Sequence, residues 1–306
     1  VKIDEQYIGK INGLKLELDL KKGALETDIK SLKKAARLSI GPELNKRIHN
    51  IITTGLIELN NDFKIYWGKF PIAKLIPGND YLSPNLELIV DDILEQSQRQ
   101  NLRLFLNKWL KNKIDTILQS LIDLKNLKDK HSSIKALAYQ LYENNGVLKR
   151  ENVSEYLKNL GQSERKILRD LGVKFGRYHI FLYKLIKPEP VILRTLLWKN
   201  YNQTNLKLSP PTFGLNFIED KENRNKYFML LCGFEKFDNY FIRIDILERL
   251  FMQIINSSSK ENQEIKLIPE MLNLLGCSKE NFKKIIQKMD YKIIEKKENM
   301  YFKYIP

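Results

Sequence analysis

The chain has 306 residues, and 52 Lys and Arg against 37 Asp and Glu give it a formal net charge of +15. That length suits about two domains with cores of their own, and the lack of any apolar run of about 18 residues argues against a membrane-spanning helix. Cys232 and Cys277 have neither CxxC spacing nor a nearby histidine, which argues against a zinc site and fits a reducing compartment.

Val1 stands where methionine would, with no charged-then-apolar leader, so a fragment or processed product is expected. Residues 1–20 alternate apolar and polar positions around Gly9 and Asn12-Gly13, the pattern of a strand hairpin. From Glu26 to about Thr54 the spacing of Ile29, Leu32, Ala36, Ile40, Leu44, Ile48 and Ile51 is helical, and Gly41-Pro42 predicts a break into two helices. A second hairpin is expected to turn at Gly68-Lys69, followed by a turn region from Pro77 to Pro84. Ile8-Gly9-Lys10-Ile11 in the first hairpin echoes Ile72-Ala73-Lys74-Leu75 in the second. Leu86 to about Leu127 carries the strongest helical signal, with Leu102, Leu106, Leu110, Ile114, Leu118 and Leu121 on one face. Asp91-Asp92, near its start, is expected to answer the helix dipole.

Helices follow over 134–142, ending at Asn144-Asn145-Gly146, over 154–160, and from Ser163 to Gly172. Gly172 and Gly176 then bracket a short strand-like run, and Lys187-Pro188 introduces a helix ending near Trp198. Ser209-Pro210-Pro211 marks a linker. Beyond it the order is a helix at 246–254, a short helix at 268–275, a tight Gly276-Cys277-Ser278 turn, a helix capped by Ser278, and a terminal hairpin. That is the order of a winged helix, with Leu272, Leu275, Phe282, Ile285 and Ile286 as its core.

The excess charge is spread along the chain, so a positive folded surface and a polyanionic partner are expected. Heavy use of Lys, Asn and Ile also follows from AT-rich coding and leaves a plain solvated surface as the alternative. Two groups of residues are candidates for nucleic-acid contact. Lys279, Lys283, Lys284 and Lys288 lie on the second winged-helix helix, with Lys296 and Lys297 at the hairpin tip. Lys174, Arg177, Tyr178 and His179 interleave bases with aromatic and apolar residues between and after the glycines, and Lys187 follows. Alternation of this kind equally describes a half-buried strand, and His179 reads as a hydrogen-bonded structural residue. GxxxxGK[ST], GxSxG and HExxH are absent, so no catalytic residue or metal ligand is assigned.

In order along the chain, YIGKINGLKLELD, WGKFPIAKLIPGNDYLSP, FLNKWL, LRDLGVKFGRYHIFLYKLIKPEPVILRTLLW, IRIDILERL and PEMLNLLGCSKENF resemble the C-terminal accessory region of alphaproteobacterial DExH/DEAD-type helicases related to the mitochondrial degradosome helicase. The stretch around Gly172, Gly176, Lys187, Pro188 and Trp198 is the most specific part. Lys, Asn and Ile replace the Arg, Ala and Leu common in that family. The resemblance implies an ATP-driven motor outside this sequence, with ATP and magnesium belonging to that motor and no cofactor in this chain. It also implies a role in lining the strand's path. The expected fold is α+β and mainly helical: N-terminal hairpins over 1–80, a helical domain over 81–201, a linker over 202–216 and a winged-helix-like unit over 217–306. The expected partners are RNA or DNA, single-stranded RNA above all, and the helicase core, with no membrane. The rival expectation is a motor-less assembly protein that docks protein partners.

Overall fold

The computed structural model describes residues 2–3, 6–19, 26–128, 131–204, 207–257 and 263–305. The fold is mixed α+β, with N-terminal antiparallel strand pairs, a helical middle and C-terminal strands. Two compact units comprise Val1–Thr116 with Leu196–Asn205, and Ile117–Thr195 with Leu206–Pro306. They cut the chain differently from the four expected segments.

In the first unit, β1 (Lys2–Ile3) pairs with β2 (Gln6–Tyr7), and β3 (Gly9–Asn12) with β4 (Lys15–Leu18). The turn between β3 and β4 requires Gly13 twice over: its φ is +59°, and a Cβ there would lie 2.6 Å from the Phe70 side chain. Helix α1 (Glu26–Thr54) corrects the expectation of two helices, because it runs unbroken through Pro42. Ala36, Ile40, Leu44, Ile48 and Ile51 are all buried and keep their helical spacing across the proline. The bond lost to Pro42 is the one to the carbonyl of Leu38, a residue facing solvent. Continuous burial on the other face outweighs a penalty of about 3 kcal/mol.

Strands β5 (Ile57–Leu59), β6 (Lys64–Trp67), β7 (Phe70–Asp80) and β8 (Ser83–Leu88) form an antiparallel meander, with the expected turn at Gly68-Lys69. The expected turn region from Pro77 to Pro84 narrows to a turn at Tyr81-Leu82 with strand on both sides, and the register is irregular between Ile76 and Asp80. Gly78 is there for close approach, since a Cβ would meet the Ser83 carbonyl oxygen at 1.8 Å. The pairing of Leu86 and Leu88 with β7 also explains why α2 (Gln96–Ile117) starts later than its apolar pattern implies. Asp91 therefore lies outside the helix. Its buried carboxylate accepts the Leu16 and Ile93 N–H groups at 3.1 and 3.2 Å and pairs with Lys33 at 3.3 Å, tying β4 and α1 to the loop before α2.

A motif returns along the sequence over residues 132–304. After α3 (Gln119–Lys125) come α4 (Ser132–Glu143), β9 (Val147–Lys149), α5 (Ser154–Lys158), α6 (Gln162–Asp170), β10 (Val173–Phe175) and β11 (His179–Leu182), with sheet order β10-β11-β9. The next pass is α7 (Pro188–Asn202), β12 (Phe217–Glu219), α8 (Lys226–Leu231), β13 (Phe234–Phe237) and β14 (Tyr240–Arg243), with sheet order β12-β14-β13. The last is α9 (Ile244–Ser257), β15 (Ile265–Lys266), α10 (Pro269–Leu275), α11 (Lys279–Lys288), β16 (Tyr291–Lys296) and β17 (Asn299–Tyr304), with sheet order β15-β17-β16. In each pass the last strand lies at the centre of a three-stranded antiparallel sheet, between the first strand and the middle one. The winged-helix order expected once, at the C-terminus, thus occurs twice in full and once without its middle helix.

The terminal pass buries Leu275, Phe282, Ile285 and Ile286 at 1% exposure or less, with Leu272 packed against them. Ser278 caps α11 as expected, its hydroxyl accepting the Asn281 N–H at 3.2 Å, and Gly276 takes the left-handed conformation that ends α10. In the most distinctive stretch of sequence, Arg194 on α7 is fully buried. Its guanidinium donates to the carbonyls of Asn145 after α4, Leu185 in the 3-10 turn before α7 and Leu231 at the end of α8 (Lys226–Leu231).

Candidate nucleic-acid interface

The site begins with a hairpin. β10 and β11 are paired from Val173 to Leu182, and their loop is Gly176, Arg177 and Tyr178. The Gly176 N–H donates to the His179 carbonyl at 2.8 Å, and the Gly176 carbonyl accepts from Arg150 Nη1 at 2.7 Å. The N–H groups of the other two loop residues and of His179, the first residue of β11, converge on one acid. Glu248 of α9 accepts the N–H of Arg177 at 2.6 Å, of Tyr178 at 2.9 Å and of His179 at 3.3 Å. Gly176 permits this, because a Cβ there would lie 2.3 Å from the Glu248 carboxylate carbon. Lys174 and Arg177 thus sit on a strand and on a hairpin loop, and not on one bulged strand.

Two clefts flank this loop. The first has a volume of about 740 Å3 and lies between the hairpin and α9. Arg150, Lys174, Arg177 and Arg249 line it against two carboxylates, Asp245 and Glu248. Asp245 is engaged by Arg243 through two contacts of 2.7 and 3.1 Å, and Glu248 by the loop N–H groups. The walls are aromatic. Lys174 Nζ stands 5.7 Å from the Tyr183 ring centre and the Arg177 guanidinium 5.9 Å from that of Phe251. Arg165 and Arg169 of α6 hold the Phe175 ring at 5.9 and 5.7 Å. Cations resting on aromatic faces keep their charge while presenting flat apolar surface beside it.

The second cleft, about 640 Å3, has Arg177, Tyr178, His179 and Lys288 on its walls, together with Lys149 and Glu235. Its floor is an ionic cluster. Glu235 pairs with His179 Nε2 at 2.7 Å and with Lys149 Nζ at 3.1 Å. Burial raises the Glu235 carboxyl, but the His179 hydrogen bond and the charges of His179 and Lys149 outweigh it and hold the group below the usual glutamate range.

Of the expected contact residues, the structure brings Lys174 and Arg177 into the first cleft and Arg177 and Lys288 into the second. His179 is 1% exposed and is committed to Glu235, which removes it from the contact set. Tyr178 is half-buried with its ring edge-on to Phe251 at 5.8 Å, and burial pushes its phenol well above the ordinary tyrosine range, so it packs where it was expected to stack on a base. Lys283 is taken up by Glu295 at 2.7 Å and Glu280 at 3.4 Å, and Lys296 by Glu264 at 2.6 Å. Lys284 lies 5.9 Å from the Tyr240 ring centre. Lys279, Lys187 and Lys297 are exposed, Lys297 at the hairpin tip with φ +53°. Sequence reasoning missed Arg150 and Arg249, which join the cleft from other elements and carry no local pattern.

Among the described residues no cluster of His, Cys, Asp and Glu is placed to hold a metal ion, and no helix is long and apolar enough to cross a membrane. Burial pushes the Cys277 thiol up to about 11, and Cys232 is buried. Comparison with protein-family models, with curated proteins and with solved structures finds no match to this chain.

Proposed function

We propose that this chain is a nucleic-acid-binding accessory region of an ATP-dependent RNA or DNA helicase, and that it guides single-stranded RNA along the cleft between the β10–β11 hairpin and α9. The observation that carries the binding part is the first cleft. Four cationic side chains share it with aromatic walls, while its two carboxylates are already engaged. Cations supply phosphate contacts and aromatic faces supply sequence-tolerant stacking, the combination used for single strands. The link to a helicase rests on the ordered resemblance of the sequence, above all from Leu168 to Trp198. Tandem winged-helix units suit the same role, since that order of elements commonly serves nucleic acid.

Titration of a fluorescent single-stranded RNA with the chain at two salt concentrations tests the reading. Binding with little sequence preference that weakens as salt rises is the expected result. Absence of binding, with retention of the chain by a protein partner, would favour the docking role instead.

A further inference from the structure

We infer that the loop from Gly176 to His179 is a phosphate site, and that the Glu248 carboxylate occupies it in the free chain. The inference rests on the proposal that the cleft binds a strand, and it names the group the strand presents there: an internal phosphodiester, held by three backbone N–H groups.

Three consecutive N–H groups aimed at one point form a concavity that takes an oxyanion. Here Oε2 of Glu248 takes the Arg177 N–H, and Oε1 takes those of Tyr178 and His179. A carboxylate and a phosphodiester both carry one negative charge and offer oxygens at similar spacing. The approach of that oxyanion to the backbone is closer than any side chain at position 176 would permit, so the glycine fits the pocket to an acid.

Glu248 is an occupant that can leave. It is 71 positions from Arg177 in sequence and comes from α9, which holds its own helical bonds without it. Its side chain is partly exposed and has three rotatable bonds, so it can turn out of the loop without moving the backbone. Arg150, Lys174, Arg177 and Arg249 already line the space around the loop, so four cations face two carboxylates, and an entering phosphate would meet a net positive surround. A phosphodiester cannot enter beside an ionised Glu248 on the same N–H groups, because two anions at hydrogen-bonding distance repel. The two exchange. Glu248 then acts as a built-in competitor that weakens strand binding and returns the loop to a fully hydrogen-bonded state when the strand departs.

The test uses the 306-residue chain labelled with 15N, a single-stranded RNA without terminal phosphate, the same RNA with a 5′-phosphate, and inorganic phosphate alone. The RNA lacking a terminal phosphate should shift the amide signals of Arg177, Tyr178 and His179 in the wild type, saturably and as strongly as the phosphorylated one. Glu248→Gln, which keeps an acceptor in the loop, should bind that RNA about fivefold more tightly, the order expected on removing one unit charge a few ångströms away in water. The salt slope should stay near that of the wild type, because the same phosphate fills the loop in both complexes. Glu222→Gln, an equal charge change outside the cleft, should stay within twofold. Inorganic phosphate should shift the same three amides in Glu248→Ala and leave them unmoved in the wild type.

RNA binding with those amides unmoved, and Glu248→Gln no tighter than the wild type, would overturn the inference while leaving the proposed function standing. Shifts with the 5′-phosphorylated strand alone would overturn the assignment to an internal phosphodiester. If the wild type bound no RNA, the proposed function would fall, and the phosphate titration of Glu248→Ala would still decide whether the loop holds an oxyanion.

Discussion

The first and last winged-helix passes share their order of elements and both carry several lysines or arginines, yet they present charge in opposite ways. On the terminal pass, Lys283 and Lys296 are matched with Glu280, Glu295 and Glu264, and Lys279 and Lys297 stand apart at the start of α11 and the tip of the hairpin. Around the first pass, Arg150, Lys174 and Arg177 meet Arg249 in one cleft, where Asp245 is held by Arg243 and Glu248 by backbone N–H groups. A lysine count would rank the terminal helix first. The partners of each charge reverse that order, because a lysine beside a carboxylate is partly neutralised and must give up that pair before it meets a phosphate.

The comparison can be tested from its structural ends inward. The largest effect should come from Arg194→Met, which leaves the carbonyls of Asn145, Leu185 and Leu231 buried without their donor. A loss on the order of 3–6 kcal/mol is expected in chemical denaturation, and an unchanged midpoint would deny Arg194 its structural role. Phe282→Ala empties a fully buried site where the ring meets Phe302 edge-on at 5.9 Å. It should cost about 3–5 kcal/mol, and wild-type thermal unfolding would disprove the terminal core.

A smaller effect should appear with pH. The Glu235 carboxyl titrates lower in the folded chain than in the unfolded one, so its pairing stabilises fully above the unfolded glutamate value and is lost as pH falls through the folded value. Glu235→Gln should therefore flatten the acid limb of the stability profile, and a superimposable profile would contradict the cluster. The smallest effect belongs to Lys283→Met with Lys296→Met: RNA affinity should stay within about twofold of wild type, since both ammonium groups are ion-paired. A tenfold loss would move the interface to the terminal helix.

The terminal pass was readable because its signals are local. Ser278 before the helix, Gly276 at the preceding stop and the Leu275, Phe282 and Ile286 spacing each act within a few residues. The two earlier passes were hidden because β9, β12 and β13 are three or four residues long, too short for alternation to show. Pro42 and Pro77-Gly78 misled for the opposite reason: tertiary burial and strand pairing overrode a strong local breaker. At the site, the glycine-flanked bases stood out in sequence, but Glu248, Arg150 and Arg249 are brought there by the packing of separate elements. No spacing rule reaches across the 71 positions from Arg177 to Glu248.

The claim that the cleft beside Gly176 binds a single strand is tested most directly by RNA titration of the double variant Lys174→Ala, Arg177→Ala at two salt concentrations. Affinity should fall with a loss of about 1.4 in salt slope, two phosphate contacts at about 0.7 each on a single strand, while the thermal midpoint stays near that of the wild type. A large fall in thermal midpoint with affinity and slope intact would contradict the account and make these side chains part of the scaffold alone.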